Sequence, residues 1–176
     1  MNLVAKSVIL VCLLYSWAVY PEGVEIGVSL SPAGSFVAKT KKVTGSAYKT
    51  ADGIAAENVV VDLKSITTGI GLRDKHTKER LMVSKYPQAK LIKAVGKGGK
   101  GVAKIEIKGK QQTVRGTYKV EGNVLKAEFP MRLPDLDIKD VRYMGVGVKD
   151  TVTVKIELPL SKAPQRSTAS TNKKKK

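Results

Sequence analysis

His76 is the chain's one imidazole and Cys12 its one thiol. A nucleophile, base and orienter set needs more than this, and a histidine-rich metal site cannot form around a single ring. Alone, His76 can orient a ligand head group or hydrogen-bond locally beside Arg73 and Asp74. The acids are scattered singly, apart from the loose loop group Asp135, Asp137 and Asp140, which needs only solvent. Lys97-Gly-Gly-Lys-Gly101 has the composition of a phosphate-cradling loop. It lacks the Gly-x-x-x-x-Gly-Lys-Ser/Thr spacing and opens no helix, so it reads as a hairpin turn. The expectation is a binding protein with no catalysis, no metal and no cofactor.

The remaining chemistry is apolar. Ile26, Val28, Val61, Leu63, Ile105, Ile107, Tyr118, Phe129, Met131, Val154 and Ile156 fall on single faces of alternating segments. Branched aliphatics with few aromatics make a smooth wall suited to an isoprenoid or acyl tail, and each buried methylene contributes about 0.8 kcal/mol. Periodicity alone favours an ordinary packed core, which the same stripe would also build.

The elements that must position these residues are strands. Thr151 to Leu160 alternates most clearly, with Val152, Val154, Ile156 and Leu158 on one face. Similar patterns run through 24–30, 59–63, 103–107, 114–120 and 125–133, with weaker ones at 36–40, 43–49 and 89–95. Turn residues at Ser31-Pro-Ala-Gly34, Ala51-Asp-Gly53, 96–101 and Glu121-Gly-Asn123 separate them. Short turns imply antiparallel neighbours, and one-sided alternation implies one apolar face. A single sheet of eight or nine strands must then curl, and closure into a barrel puts that face inside. Only 73–82, free of glycine and proline, reads as a helix, with Leu72, His76, Glu79 and Val83 at helical spacing. Pro134 to Gly147 reads as an irregular excursion before the last strand.

Several stretches resemble the YceI-like proteins, small exported lipocalin-like barrels. They are Thr68-Gly69, Arg73-Asp74-x-His76, Lys85-Tyr86-Pro87, and Ile138 through Asp150 into the strand ending at Ile156. The resemblance spans about residues 24–160. The family's early turn usually carries a histidine, whereas Ser31-Pro-Ala-Gly-Ser35 has none. The resemblance implies an all-β, antiparallel lipocalin-like β-barrel of about eight strands with one short helix. It also implies an interior that holds an amphiphilic lipid ligand, such as a polyisoprenoid, an isoprenoid quinone or a fatty-acid derivative. His76 and the apolar set above are then the candidate ligand-binding residues.

The ends carry separate signals. Lys6, the apolar run from Ser7 to Tyr20, and Ser16 and Ala18 at small-residue positions predict a cleavable signal peptide over 1–18. That run is about 14 residues, shorter than the roughly 20 a membrane-spanning helix needs. Cleavage removes Cys12 and Trp17, so thiol chemistry and disulfides leave with the signal. The expected location is periplasmic or secreted. Val11 before Cys12 does not suit a lipoprotein site. Residues 162–176 read as a disordered basic tail behind a barrel domain over 19–161.

The formal charge of +17 divides accordingly: one base in 1–18, six in 162–176, no acid in either, and +10 on the barrel. That +10 can attract an anionic head group or an anionic membrane surface in transient contact. Nucleic acid is not expected, since charge is the only argument for it and stacking aromatics are few. The alternative reading is a basic exported protein whose surface and Lys-rich tail bind nucleic acid or anionic envelope polymers.

Overall fold

The structure is a computed structural model describing residues 23–143 and 145–163. The expected signal segment and the tail beyond residue 163 lie outside the described residues. Twelve strands form one sheet. β1 (Val24–Ser31) and β2 (Ser35–Thr40) form a hairpin, followed by the short β3 (Val43–Thr44) and β4 (Ala47–Lys49). β5 (Ile54–Asp62) leads through a 3-10 turn at Leu63–Ser65 and helix α1 (Gly71–Arg80) to β6 (Gln88–Lys97). Then come β7 (Lys100–Ile107), β8 (Lys110–Glu121) and β9 (Val124–Arg132). A 3-10 turn at Pro134–Leu136, β10 (Arg142–Tyr143) and β11 (Val146–Val148) precede β12 (Thr151–Ser161).

The closed circuit runs β12-β4-β5-β6-β7-β8-β9 and back to β12, seven strands with the others added to it. β9 and β12 close it over nine residue pairs, from Thr151↔Arg132 to Pro159↔Val124. On its other edge β12 meets β1 at 153–156 and β4 only at Leu160 and Ser161. The count falls below eight because the 43–49 segment splits at Gly45-Ser46 and β1 shares one edge of β12 with β4. Closure leaves the alternating faces inside: Val152, Val154, Ile156 and Leu158 are all buried. Each such side chain contributes about 1.5–3 kcal/mol relative to exposure.

Two irregularities reset the inner face. Asn58 takes a left-handed φ of 54°. Pairing passes from Glu57↔Lys93 to Val59↔Leu91, leaving Asn58 and Ile92 out of register. Ala56 and Val59 therefore both face inward although three residues apart. This is why alternation in the sequence marks only the second half of β5.

The segment read as an irregular excursion does structural work. Asp137 adopts φ 52°, which turns the chain so that Ile138 N donates to Leu133 O at 3.1 Å. Leu136 is fully buried and Ile138 nearly so, both within the barrel's core cluster. Lys110 pairs with the Asp137 carboxylate, and Gln112 Nε2 donates to Asp135 Oδ2 at 2.7 Å, tying this loop to β8. β11 then pairs with the end of β1 at Leu30↔Val148. The loop thus plugs the end of the barrel opposite the β6–β7 and β8–β9 turns.

Candidate ligand cavity

The cavity follows from small residues brought into register. Ala47, Ala56, Ala94, Ala103 and Val114 pair in sequence across β4, β5, β6, β7 and β8. One step nearer the turns, Ile54, Gly96, Gly101 and Gly116 form the adjacent inner row. Two neighbouring rows with little or no side chain leave a space that larger residues would fill. The cavity measures about 70 Å³, is partly open to solvent, and is lined chiefly by apolar groups. Leu91, Leu125, Ala127, Phe129, Ile156 and Leu158 complete much of its wall.

Tyr118 covers the glycine row. A Cβ built on Gly96 would stand 2.4 Å from Tyr118 Cε1, so the ring lies directly on that glycine. Gly98 and Gly99, with φ of 58° and 79°, make the two-residue turn joining Lys97 and Lys100. Both central positions of that turn require positive φ, which glycine adopts without strain. Thr117 and Glu128 also border the cavity, but the Glu128 carboxylate is exposed on the outside, 3.7 Å from Lys155.

Ten of the residues expected to face inward join the barrel core: Ile26, Val28, Val61, Ile105, Ile107, Tyr118, Phe129, Met131, Val154 and Ile156. Of these, Tyr118, Phe129 and Ile156 line the cavity itself. Leu63 does not join them. β5 ends at Asp62, whose carboxylate accepts from Lys64 N at 2.9 Å and starts a 3-10 turn, and Leu63 is buried there outside the barrel cluster. His76 does not line the cavity either: it is exposed on α1, a helix with no buried residue. Of Leu72, His76, Glu79 and Val83, the first three are exposed and Val83, just past the helix end, is buried, while side-chain anchors tie down the helix itself. The alanines and glycines stand outside the apolar set expected from the sequence; their signal is small residues at inner positions near the ends of consecutive strands.

Those anchors are the Arg73-Asp74 pair. Asp74 accepts from Thr67 Oγ1 at 2.7 Å, Thr68 Oγ1 at 2.5 Å and Thr68 N at 2.6 Å. Arg73 donates to Thr68 O at 3.0 Å and stacks 4.4 Å from the Phe36 ring centre. The Thr68 hydroxyl, then Thr67 and the Thr68 amide, hold the Asp74 carboxyl below its ordinary value of 3.8. A depressed carboxyl stabilises the fold above its ordinary pKa, and that contribution is lost as pH falls through the lowered value. Asp74→Asn is therefore expected to lower the melting temperature at neutral pH. The gap from the unsubstituted protein should close in acid below about pH 3.8. Glu121 and Asp137 are lowered too, by Lys119 and Lys110 first, so the difference between the two proteins isolates Asp74. Among the described residues no group of three or more His, Cys, Asp or Glu side chains is placed to hold a metal ion.

Comparison with known proteins places this geometry. BcnA of Burkholderia cenocepacia superposes with a TM-score of 0.59 at 18% identity, over 77% of this chain and 94% of BcnA. A polyisoprenoid binding domain from Saccharophagus degradans, implicated in plant cell wall breakdown, gives 0.53 at 14% identity, over 77% and 91%. The Campylobacter jejuni YceI protein gives 0.51 at 14% identity, over 69% and 81%. The search of curated proteins gave no match. These likenesses show the barrel fold. The YceI-like domain itself is matched over residues 17–160, and the chain belongs to the YceI-like family.

Proposed function

We propose that the barrel holds the hydrocarbon tail of an amphiphilic long-chain lipid, for carriage or sequestration in the cell envelope after export. The observation that carries this reading is the apolar cavity walled by Tyr118 and by the paired alanine and glycine rows. The polyisoprenoid binding domain among the structural neighbours supports an isoprenoid as one such lipid. At about 70 Å³ the cavity has room for several water-sized spheres, well below the roughly 300 Å³ of the smallest usual ligand pockets. A long tail therefore requires Tyr118 or Phe129 to swing away from the glycines they now cover. The reading assigns binding and no chemical step.

Native mass spectrometry of the full chain, expressed with its N-terminal segment and purified under mild conditions, tests it. The expected spectrum shows a hydrophobic molecule co-purifying with the barrel, and the same spectrum reads whether residues 1–18 have been removed. Repeated recovery of the unliganded chain would sink the proposal.

A further inference from the structure

The outer face of the β6–β7 hairpin carries an arrangement that the cavity does not use. Lys93 stands directly opposite Lys104, Val95 opposite Val102, and Lys97 opposite Lys100. Arg115 of β8 stands opposite Val102 on the next strand. Five cations thus ring a pair of valines, on the side of the strands opposite the inward Ala94, Gly96, Gly101 and Ala103. Val95 is 51% exposed. A solvent-open depression of about 730 Å³ borders this face, lined by Val95, Lys97, Lys100, Val102 and Arg115 and also by Asp52 and the thin Gly96, Gly101 and Gly116 row.

This is an unfavourable surface for a protein that meets only water. Like charges directly opposite one another across a strand pair repel. The acids nearby offset little of it: Glu57 stands 3.9 Å from Lys93 and Asp52 3.9 Å from Lys97, both in well-exposed pairs. Lys100, Lys104 and Arg115 have no ion pair among the described residues. An anionic layer would relieve both repulsions, and a layer with an apolar interior would also accept the valines.

We propose that this face docks on an anionic lipid bilayer, with the lysines and Arg115 at the head-group level and Val95 and Val102 projecting between head groups. The lysine stems suit this placement, since they lie along apolar surface while the ammonium stays wet. The exposed Val95, with the half-buried Val102 beside it, favours a bilayer over a nucleic acid, whose phosphate backbone gives an aliphatic pair nothing to enter. Docking in this way sets the glycine-thinned wall of the cavity against the membrane. The proposal does not depend on what the cavity holds.

The test is co-sedimentation of the full chain with vesicles of equal parts phosphatidylglycerol and phosphatidylcholine, against vesicles of phosphatidylcholine alone. Every variant keeps the C-terminal lysines, so their contribution is common to all. Lys100→Glu/Lys104→Glu/Arg115→Glu is expected to weaken binding to the anionic vesicles on the order of 100-fold. An equally charged control on exposed residues elsewhere, Lys64→Glu/Lys75→Glu/Lys139→Glu, should change it far less. Val95→Ser/Val102→Ser should weaken it roughly fivefold while leaving binding to a short DNA duplex unchanged. Circular dichroism checks that each variant is folded, and glutamine replaces glutamate at the same three positions where reversal prevents folding. Equal losses in the two charge-reversed proteins would overturn the proposal, because binding would then be general to the basic surface. It would equally be overturned by an inert valine pair, or by a duplex that displaces the vesicles through the same three cations.

Discussion

Leu136→Ala is expected to cost about 2–5 kcal/mol, the range for truncating a buried leucine. That is a large share of the roughly 5–15 kcal/mol that holds an ordinary domain together. Leu136 has no exposed surface, and its turn is held by Leu136 N to Leu133 O at 3.0 Å and Asp137 N to Pro134 O at 3.0 Å. These backbone bonds persist in the variant, so the turn keeps its shape and cannot collapse into the space left behind. The cost should therefore lie in the upper half of the range. For a chain of this length each kcal/mol lowers the melting temperature by about 2–4 °C. Thermal melting followed by circular dichroism measures it, and a change of less than about 2 °C would show that the loop is not the plug described here.

Phe129→Ala acts in the cavity wall and should separate stability from binding. Its half-buried ring lines the cavity, and a Cβ built on Gly116 would stand 2.7 Å from Phe129 Cβ, so β8 and β9 are pressed together there. Removing the ring should cost about 3 kcal/mol, the low end for phenylalanine because part of the ring already meets solvent. It should also enlarge the cavity beside Tyr118. Titration with straight-chain fatty acids of increasing length is expected to show tighter binding of the longer chains than in the unsubstituted protein. Unchanged affinity at every length, together with the expected loss of stability, would move the ligand's seat away from Phe129.

How much of this was readable beforehand differs from element to element. β12 was plain because Val152 to Leu158 alternates without a break and no bulge interrupts its pairing with β9. Tyr118, Phe129 and Ile156 were placed correctly on the inner side for the same reason. Leu63 was misplaced because alternation continues past Asp62 in the sequence, while the Asp62 side chain ends the strand by capping the following turn. Leu136 carries no signal in the sequence, because a lone leucine between Pro134 and Asp137 has no periodicity to mark it. The helix is legible from its lack of glycine and proline over 73–82, but the bonds of Arg73 and Asp74 to Thr67 and Thr68 that hold it are tertiary.

Composition and alternation, local properties of one chain segment, were enough to determine an all-β barrel with one helix, its inner and outer faces, and a basic exterior. The cavity and the lysine-ringed valines belong to the tertiary structure. Each is a relation between residues on different strands, created by register: Gly96 meets Gly101 and Gly116, Lys93 meets Lys104. Bulges such as that at Asn58 and Ile92 shift register by a single residue, and such a shift moves every side chain beyond it to the other face. Which small residues pool into a void, and which charges are forced together, is therefore settled only when the strands pair.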